Sequence, residues 1–194
     1  MSVAAIILAA GESRRLGQPK QLLAFHGESL LVRAIRLANE AGAAPVLVVL
    51  GANYERIRAA TQSSNSIPVH NDRWRQGIAS SIEAGVRALS VCAPEAEGVL
   101  LMGCDQPRLT TAHLRALIAA FEGQSAAAIA ASSYAGAQAV PAVFPRATFA
   151  ALRALHGDRG ARSVIESAPC PVVATEFRGG EVDIDSPEDL ALLE

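Results

Sequence analysis

Short apolar runs alternate along this chain with segments whose apolar residues recur at helical spacing, and that alternation restricts the fold more than any other feature. Residues 3–8 form an unbroken apolar run of strand length. Leu30, Ala34, Leu37 and Ala41 then share one face of a helix. Residues 45–50 are a β-branched run closed by Gly51, and a helical stretch over 54–60 and a short strand over 67–70 follow. Ile78, Ile82, Gly85, Val86 and Leu89 mark the next helix, 98–102 another buried strand, and Leu114, Leu117, Ile118 and Phe121 a helix opened by Thr110 and Thr111 as cap residues. Strands are expected again at 126–131, 142–144 and 171–174. A final helix should start at Ser186-Pro187-Glu188-Asp189, with Ser186 as the cap, Pro187 at the first helical position and Asp189 at the positive end of the dipole. Such alternation predicts an α/β chain: a mostly parallel sheet with helices on both faces, a three-layer α/β/α sandwich. Ligands of such sheets lie at the carboxyl ends of the strands, where the strand order reverses.

The 194 residues suffice for one well-buried domain, read here as 1–194, with no repeat and no linker. A formal charge of −2 leaves no basic excess to neutralise a nucleic-acid backbone, so a small ligand is favoured over a polymeric anion. Cys92, Cys104 and Cys170 are odd in number and lack CxxC spacing, and they read as buried thiols in a reducing compartment. The first apolar run has no basic leader and falls short of the ~20 residues that span a bilayer. No membrane partner is expected, and the protein is read as cytoplasmic.

The segment after the first strand, Leu8-Ala9-Ala10-Gly11-Glu12-Ser13-Arg14-Arg15-Leu16-Gly17-Gln18-Pro19-Lys20, is the most informative. Its small residues let backbone N–H groups approach an anion. Its arginines can grip phosphate oxygens as forks, and Lys20 adds a point charge. The spacing fits neither GxxxxGK[ST] nor GxGxxG. A solvated basic turn accounts for the same residues, and the loop by itself does not choose. Asp105 follows the apolar run 99–102 and should stand at a strand's carboxyl end, with Pro107 ending the strand. It reads equally as a turn former. In Asp183-Ile184-Asp185, alternation places both carboxylates on one side of an extended chain, although Asp185 also suits a helix opening.

The loop resembles the LAAGxSxRMGxxK signature of the nucleotidyltransferases related to molybdenum cofactor cytidylyltransferase, with Leu16 in place of Met. The similarity continues through Lys20-Gln21-Leu22-Leu23, residues 71–77 with Ser80 and Ser81, Gly103-Cys104-Asp105-Gln106-Pro107, residues 157–162 and residues 183–190. It implies a Rossmann-like sandwich and transfer of a nucleoside monophosphate, CMP from CTP, to the phosphate of molybdopterin, with release of pyrophosphate and use of Mg²⁺. Nucleotide binding would then fall to Leu8, Ala9, Ala10, Gly11, Ser13, Arg14, Arg15, Gly17, Lys20 and Ser80, with Arg15, Lys20 and Asp105 catalytic. Asp105 and Asp185 would hold the metal, Asp185 being preferred to Asp183. Asn71, Trp74, Gly77, Gly157 and Asp158 would meet the acceptor, although Trp74 also suits a core position and 157–160 a plain turn. An ionised phosphate acceptor needs no general base, which fits a chain whose histidines, His26, His70, His113 and His156, are scattered.

Gln138 and Ala139 replace a basic residue and a glycine of the resembled pattern, which weakens the expectation of a molybdopterin acceptor. Ala10 favours CTP, because guanylyl-transferring relatives resemble LAGG at this turn. The alternatives are a guanylyl- or other nucleotidyltransferase with a different acceptor, and a non-catalytic nucleotide-binding accessory of a client molybdoenzyme.

Overall fold

The computed structural model describes residues 1–193. The strands are β1 (Val3–Ala9), β2 (Ala24–Phe25), β3 (Glu28–Ser29), β4 (Val46–Leu50), β5 (Ile67–His70), β6 (Gly98–Gly103), β7 (Ile129–Tyr134), β8 (Ala137–Pro145) and β9 (Val172–Glu176). Seven of them form one sheet in the order β5-β4-β1-β6-β8-β7-β9, and β2 and β3 make a separate small hairpin. β1 runs parallel to both β4 and β6, β4 to β5, and β7 to β9; only β8 is antiparallel to its neighbours. The mostly parallel sheet expected from the alternation is therefore present.

β1, β4 and β6 read as continuous apolar runs because helices cover both faces of the sheet. On one face lie α1 (Leu30–Glu40), α2 (Tyr54–Ala60) and α4 (Thr111–Gly123), with Leu31, Ile35, Ile57, Leu117 and Phe121 buried against Ile7, Val48, Leu100 and Met102. On the other lie α3 (Ile78–Cys92), α5 (Phe149–Arg153) and α6 (Arg162–Glu166), with Ile82, Val86, Leu152 and Ile165 against Ile6, Val49, Leu101 and Phe144. The Ser29 hydroxyl accepts from Val32 N at the start of α1, and the Thr110 hydroxyl accepts from His113 N at the start of α4, as expected of that threonine.

Four details depart from the sequence reading. The strand expected at 142–144 starts earlier, at Ala137, so Gln138 and Ala139 lie within β8. β7 and β8 turn through Ala135 and Gly136, both at positive φ (48° and 73°), the geometry of a two-residue hairpin. The closing element, Pro187–Leu193, is a 3-10 helix, and the Ser186 hydroxyl before it donates to Asp189 where a cap would accept from the helix. Asp189 Oδ2 accepts from the N–H groups of Asp185 and Ser186 and from the Ser186 hydroxyl at 2.7–3.0 Å, a first-turn carboxylate reaching back to the N–H groups before the helix. Cys92 is exposed; Cys104 is buried and Cys170 half-buried. Among the described residues no helix is long and apolar enough to cross a membrane.

The strand order reverses at β1, with β4 on one side and β6 on the other, so the crevice between the carboxyl ends of β1 and β6 is the switch point. The loop after Ala9 and the turn after Gly103 both open there.

Candidate active site

Past β1 the chain makes a 3-10 turn, Arg14–Leu16, entered by Ser13 at φ 56° and ended by Gly17 at φ 66°. A second 3-10 turn, Lys20–Leu22, returns the chain to the sheet, and Lys20 N donates to Ser13 Oγ at 3.1 Å. This return delivers the Lys20 ammonium to the end of β6. Its Nζ donates to Asp105 Oδ2 at 2.7 Å and to Asp185 Oδ1 at 2.6 Å. Arg15 donates to the other oxygen of Asp185 at 3.1 Å. Ile184 N donates to Asp105 O at 3.0 Å, and the Ile184 side chain is buried against Leu16 and Leu30, so the 183–185 segment is fastened beside the β6 turn. Burial alone would lower the pKa of Lys20, but the carboxylates of Asp105 and Asp185 outweigh it and the ammonium is held charged. Asp183 is shifted the other way: burial, then the negative charges of Asp185 and Asp105, raise it. Cys104 beside them is an inert thiol, pushed up to about 12 by burial and by Asp105.

A cleft of about 640 Å³ opens in front of the loop, walled by Leu8, Ala10, Gly11, Glu12, Ser13, Arg14, Lys20, Trp74, Arg75, Gly77, Ile78, Ser81 and Asp158. Its size suits a nucleotide-sized ligand. Trp74 stands against Gly51, where a Cβ would come within 2.5 Å of the Trp74 Cβ, and Arg75 stacks over the indole at 4.2 Å. Gly77, at φ 101°, packs against the Gly157 carbonyl and the Asp158 carboxylate, leaving no room for a Cβ. The Gly157 carbonyl also accepts from Ala79 N at 3.1 Å, which joins the 157–158 turn to the start of α3.

A second hollow of about 310 Å³ borders Asp105, walled by Leu8, Ile78, Gly103, Asp105, Gln106, Tyr134, Val140, Gly180, Glu181 and Asp183. The two spaces share Leu8 and Ile78 and differ in charge. The charged walls of the first are Arg14, Lys20 and Arg75 with Glu12 and Asp158, whereas those of the second among the described residues are Asp105, Glu181 and Asp183.

The structure thus brings together Arg15, Lys20, Asp105 and Asp185, and it sets Leu8, Ala10, Gly11, Ser13, Arg14, Trp74, Gly77 and Asp158 around one cleft. Asn71 and Ser80 stand behind it. Both are buried; Asn71 Nδ2 donates to Ser80 Oγ at 2.9 Å and Ser81 Oγ at 3.0 Å, and the Ser80 hydroxyl bonds the carbonyls of Arg73 and Gly77. Ala9 is buried, and Gly17 ends the loop as an exposed cap. Gln21, Arg75, Ser81 and Tyr134 lay outside the expected site residues. Gln21 was detectable as a polar residue before an apolar pair, and Arg75 as the neighbour of Trp74.

Asp105 Oδ2 and Asp185 Oδ1 converge on one ammonium and are hard oxygen donors, a set that fits one divalent cation. Among the described residues no group of three or more His, Cys, Asp or Glu is arranged to hold a metal. Two carboxylates, completed by phosphate oxygens and water, is what Mg²⁺ takes.

A family model described as "MobA-like NTP transferase domain" matches residues 5–172. The chain is 32% identical to the purine catabolism protein PucB of Bacillus subtilis, covering 95% of this chain and 92% of that one. It is 30% identical to nicotine blue oxidoreductase of Paenarthrobacter nicotinovorans (93% and 92%) and 37% identical to a probable molybdenum cofactor guanylyltransferase of Synechococcus elongatus over a shorter stretch (60% and 57%). Among solved structures, Rv0371c of Mycobacterium tuberculosis superposes with a TM-score of 0.80 at 30% identity, covering 100% of this chain and 98% of that one. A structure of Rv0371c in complex with manganese gives 0.76 at 28% identity, covering 100% and 97%. The chain belongs to the MobA-like NTP transferase family and is a nucleotidyltransferase related to the molybdenum cofactor nucleotidyltransferases.

Proposed function

We propose that the chain transfers CMP from CTP to the phosphate of a molybdopterin-type acceptor, releasing pyrophosphate, with Mg²⁺ at Asp105 and Asp185. The observation that carries this reading is the convergence of Arg15, Lys20, Asp105 and Asp185 beside a cleft of nucleotide size. A triphosphate belongs in the cleft with Arg14, Lys20 and Arg75. Asp105 and Asp185, joined through the Lys20 ammonium that walls this cleft, would hold the cation beside the α-phosphorus. The acceptor phosphate oxygen forms the new bond to that phosphorus, and the bond to the bridging oxygen of the leaving pyrophosphate breaks. Arg15 and Lys20 meet the negative charge that builds on the phosphoryl oxygens. A bound Mg²⁺ would supply further stabilisation of the same charge. Trp74, Gly77 and Asp158 close the nucleotide cleft toward its acceptor end. Asn71, Ser80 and Gly157 support that wall from behind. The manganese complex of Rv0371c supports a divalent cation in this family. A client molybdoenzyme remains part of the proposal as the destination of the product.

Guanylyl transfer is the competing reading, favoured by the name of the cyanobacterial relative. Ala10 separates the two. Its carbonyl accepts from Ala52 N at 3.0 Å, and its methyl is buried beside Trp74 and Leu8 at the inner end of the cleft. The restricted backbone and filled space favour the smaller base. Pyrophosphate release from CTP should exceed that from GTP with molybdopterin as acceptor. In Ala10→Gly the preference should relax by about 1–3 kcal/mol without inverting. Faster turnover of GTP by the unaltered protein would overturn the cytidylyl reading and leave nucleotidyl transfer intact.

A further inference from the structure

Gln21 is 1% exposed, and the family's chemistry as proposed above gives it nothing to do. It follows Lys20 in the 3-10 turn, and the two side chains leave that turn in different directions. Lys20 reaches the carboxylates; Gln21 reaches the back of the loop. Its Nε2 donates to the carbonyls of Ala9 and Gly11, each at 2.9 Å. Its Oε1 is buried with no partner. The amide orientation is nevertheless fixed, because the reverse would set Oε1 against two carbonyl oxygens. The side chain is thus held by its two donors alone.

The consequence lies in the adjoining peptides. Among the described residues only Ala44–Pro45 and Val140–Pro141 are cis, so the peptides after Ala9 and Gly11 are trans. In a trans peptide the N–H points opposite to the carbonyl. Drawing the Ala9 and Gly11 carbonyls back onto Gln21 therefore aims the N–H groups of Ala10 and Glu12 away from it. Ala10, Gly11, Glu12 and Ser13 wall the nucleotide cleft. Among the described residues none of their N–H groups donates to a backbone acceptor.

We propose that Gln21 is a positioning residue: one buried amide clamps two alternate carbonyls and so presents the Ala10 and Glu12 N–H groups to the phosphates of the nucleotide. The proposal rests on the reading of this cleft as a triphosphate site. Its effect falls on phosphate binding, because the groups it aims are made ready before transfer begins.

The probe is sodium tripolyphosphate with Mg²⁺, titrated into the full chain. In ¹⁵N–¹H spectra of the unaltered protein, the Ala10 and Glu12 amide protons should move downfield on saturation. Gln21→Met keeps the length of the side chain and removes both donors, and Gln21→Glu keeps the shape and replaces the donors by acceptors. Each variant should weaken tripolyphosphate binding by about tenfold or more and raise the KM for the nucleoside triphosphate alike, while the KM for the acceptor holds. Wild-type affinity in either folded variant overturns the clamp. If both variants fail to fold, the amide protons of the unaltered protein decide, and no movement at Ala10 and Glu12 overturns it. An unaltered protein that binds no tripolyphosphate and releases no pyrophosphate from any triphosphate removes the underlying reading instead.

Discussion

Replacing Lys20 by methionine separates the two tasks this ammonium performs, because the structure shows it neutralising both carboxylates of the site. Its charge-assisted bonds to Asp105 and Asp185 measure 2.7 and 2.6 Å, and its side chain is 17% exposed. Bonds of this kind contribute about 1.5–3 kcal/mol each when shielded. The carboxylates are 26% and 35% exposed, so water screens part of that, and desolvating the ammonium costs more. A net loss of about 2 kcal/mol is therefore expected in Lys20→Met. For a chain of this length that lowers Tm by about 4–8 °C in the presence of a chelator. The same substitution leaves Asp105 and Asp185 facing each other without a counter-charge. Mg²⁺ at about 100 times its dissociation constant stabilises by about 2.7 kcal/mol, so the ion should restore most of the lost Tm. In the unaltered protein Mg²⁺ must first displace the Lys20 bonds, and its shift should be smaller. Thermal unfolding of both proteins with chelator and with Mg²⁺ reads all four values. Equal Tm in chelator, or an Mg²⁺ shift as large in the unaltered protein as in Lys20→Met, would refute the shared-cation geometry. Turnover should be nearly lost in the variant whatever its Tm, since the ammonium also meets the triphosphate.

Asn71→Ala removes a buried amide that bonds Ser80, Ser81 and Arg73 N, and it should cost about 2–3 kcal/mol of stability, seen as a fall in urea midpoint with m unchanged. An unaltered midpoint would show that the wall behind the cleft does not depend on it. Gly51→Ala places a methyl within 2.5 Å of Trp74 and 2.9 Å of the Ala10 carbonyl, which should push the indole into the cleft and cost about 1–3 kcal/mol. Trp74 is the only tryptophan, so its emission should shift and nucleotide affinity fall together; a shift in neither would mean the indole is free to move elsewhere.

The strands that build the switch point were legible because each is buried on both faces: β1, β4 and β6 are continuous apolar runs bounded by glycine or polar turns. The start of β8 was not. Ala137, Gln138, Ala139 and Val140 are half-buried and carry a polar residue, so neither alternation nor an apolar run marks them. Cys92 was expected to be buried from cysteine number and spacing alone, yet it is the last residue of α3 and is exposed. The chain turns there, and Ala93 and Ala96 take the buried positions. The 3-10 closing helix was unreadable because its polar first turn has the same residues as an α-helix start. The site itself is a long-range object: Lys20 meets Asp105 and Asp185 across separations of 85 and 165 residues. No spacing rule joins them, and only the resemblance of the separate blocks placed them at one site. What resemblance did not supply was which residues face the cleft. That division, between Trp74 and Ser81 in front and Asn71 and Ser80 behind, follows from hydrogen-bond saturation that only the fold determines.

The most direct test of nucleotidyl transfer at this site is pyrophosphate release, measured with Mg²⁺, nucleoside triphosphate and a phosphorylated acceptor, on the unaltered protein beside Asp105→Asn and Asp185→Asn. The account predicts acceptor-dependent release by the unaltered protein. It predicts near-complete loss in a folded Asp105→Asn, and a lesser loss in Asp185→Asn, whose amide oxygen can replace part of the lost donor. Release at the unaltered rate by folded Asp105→Asn would contradict it.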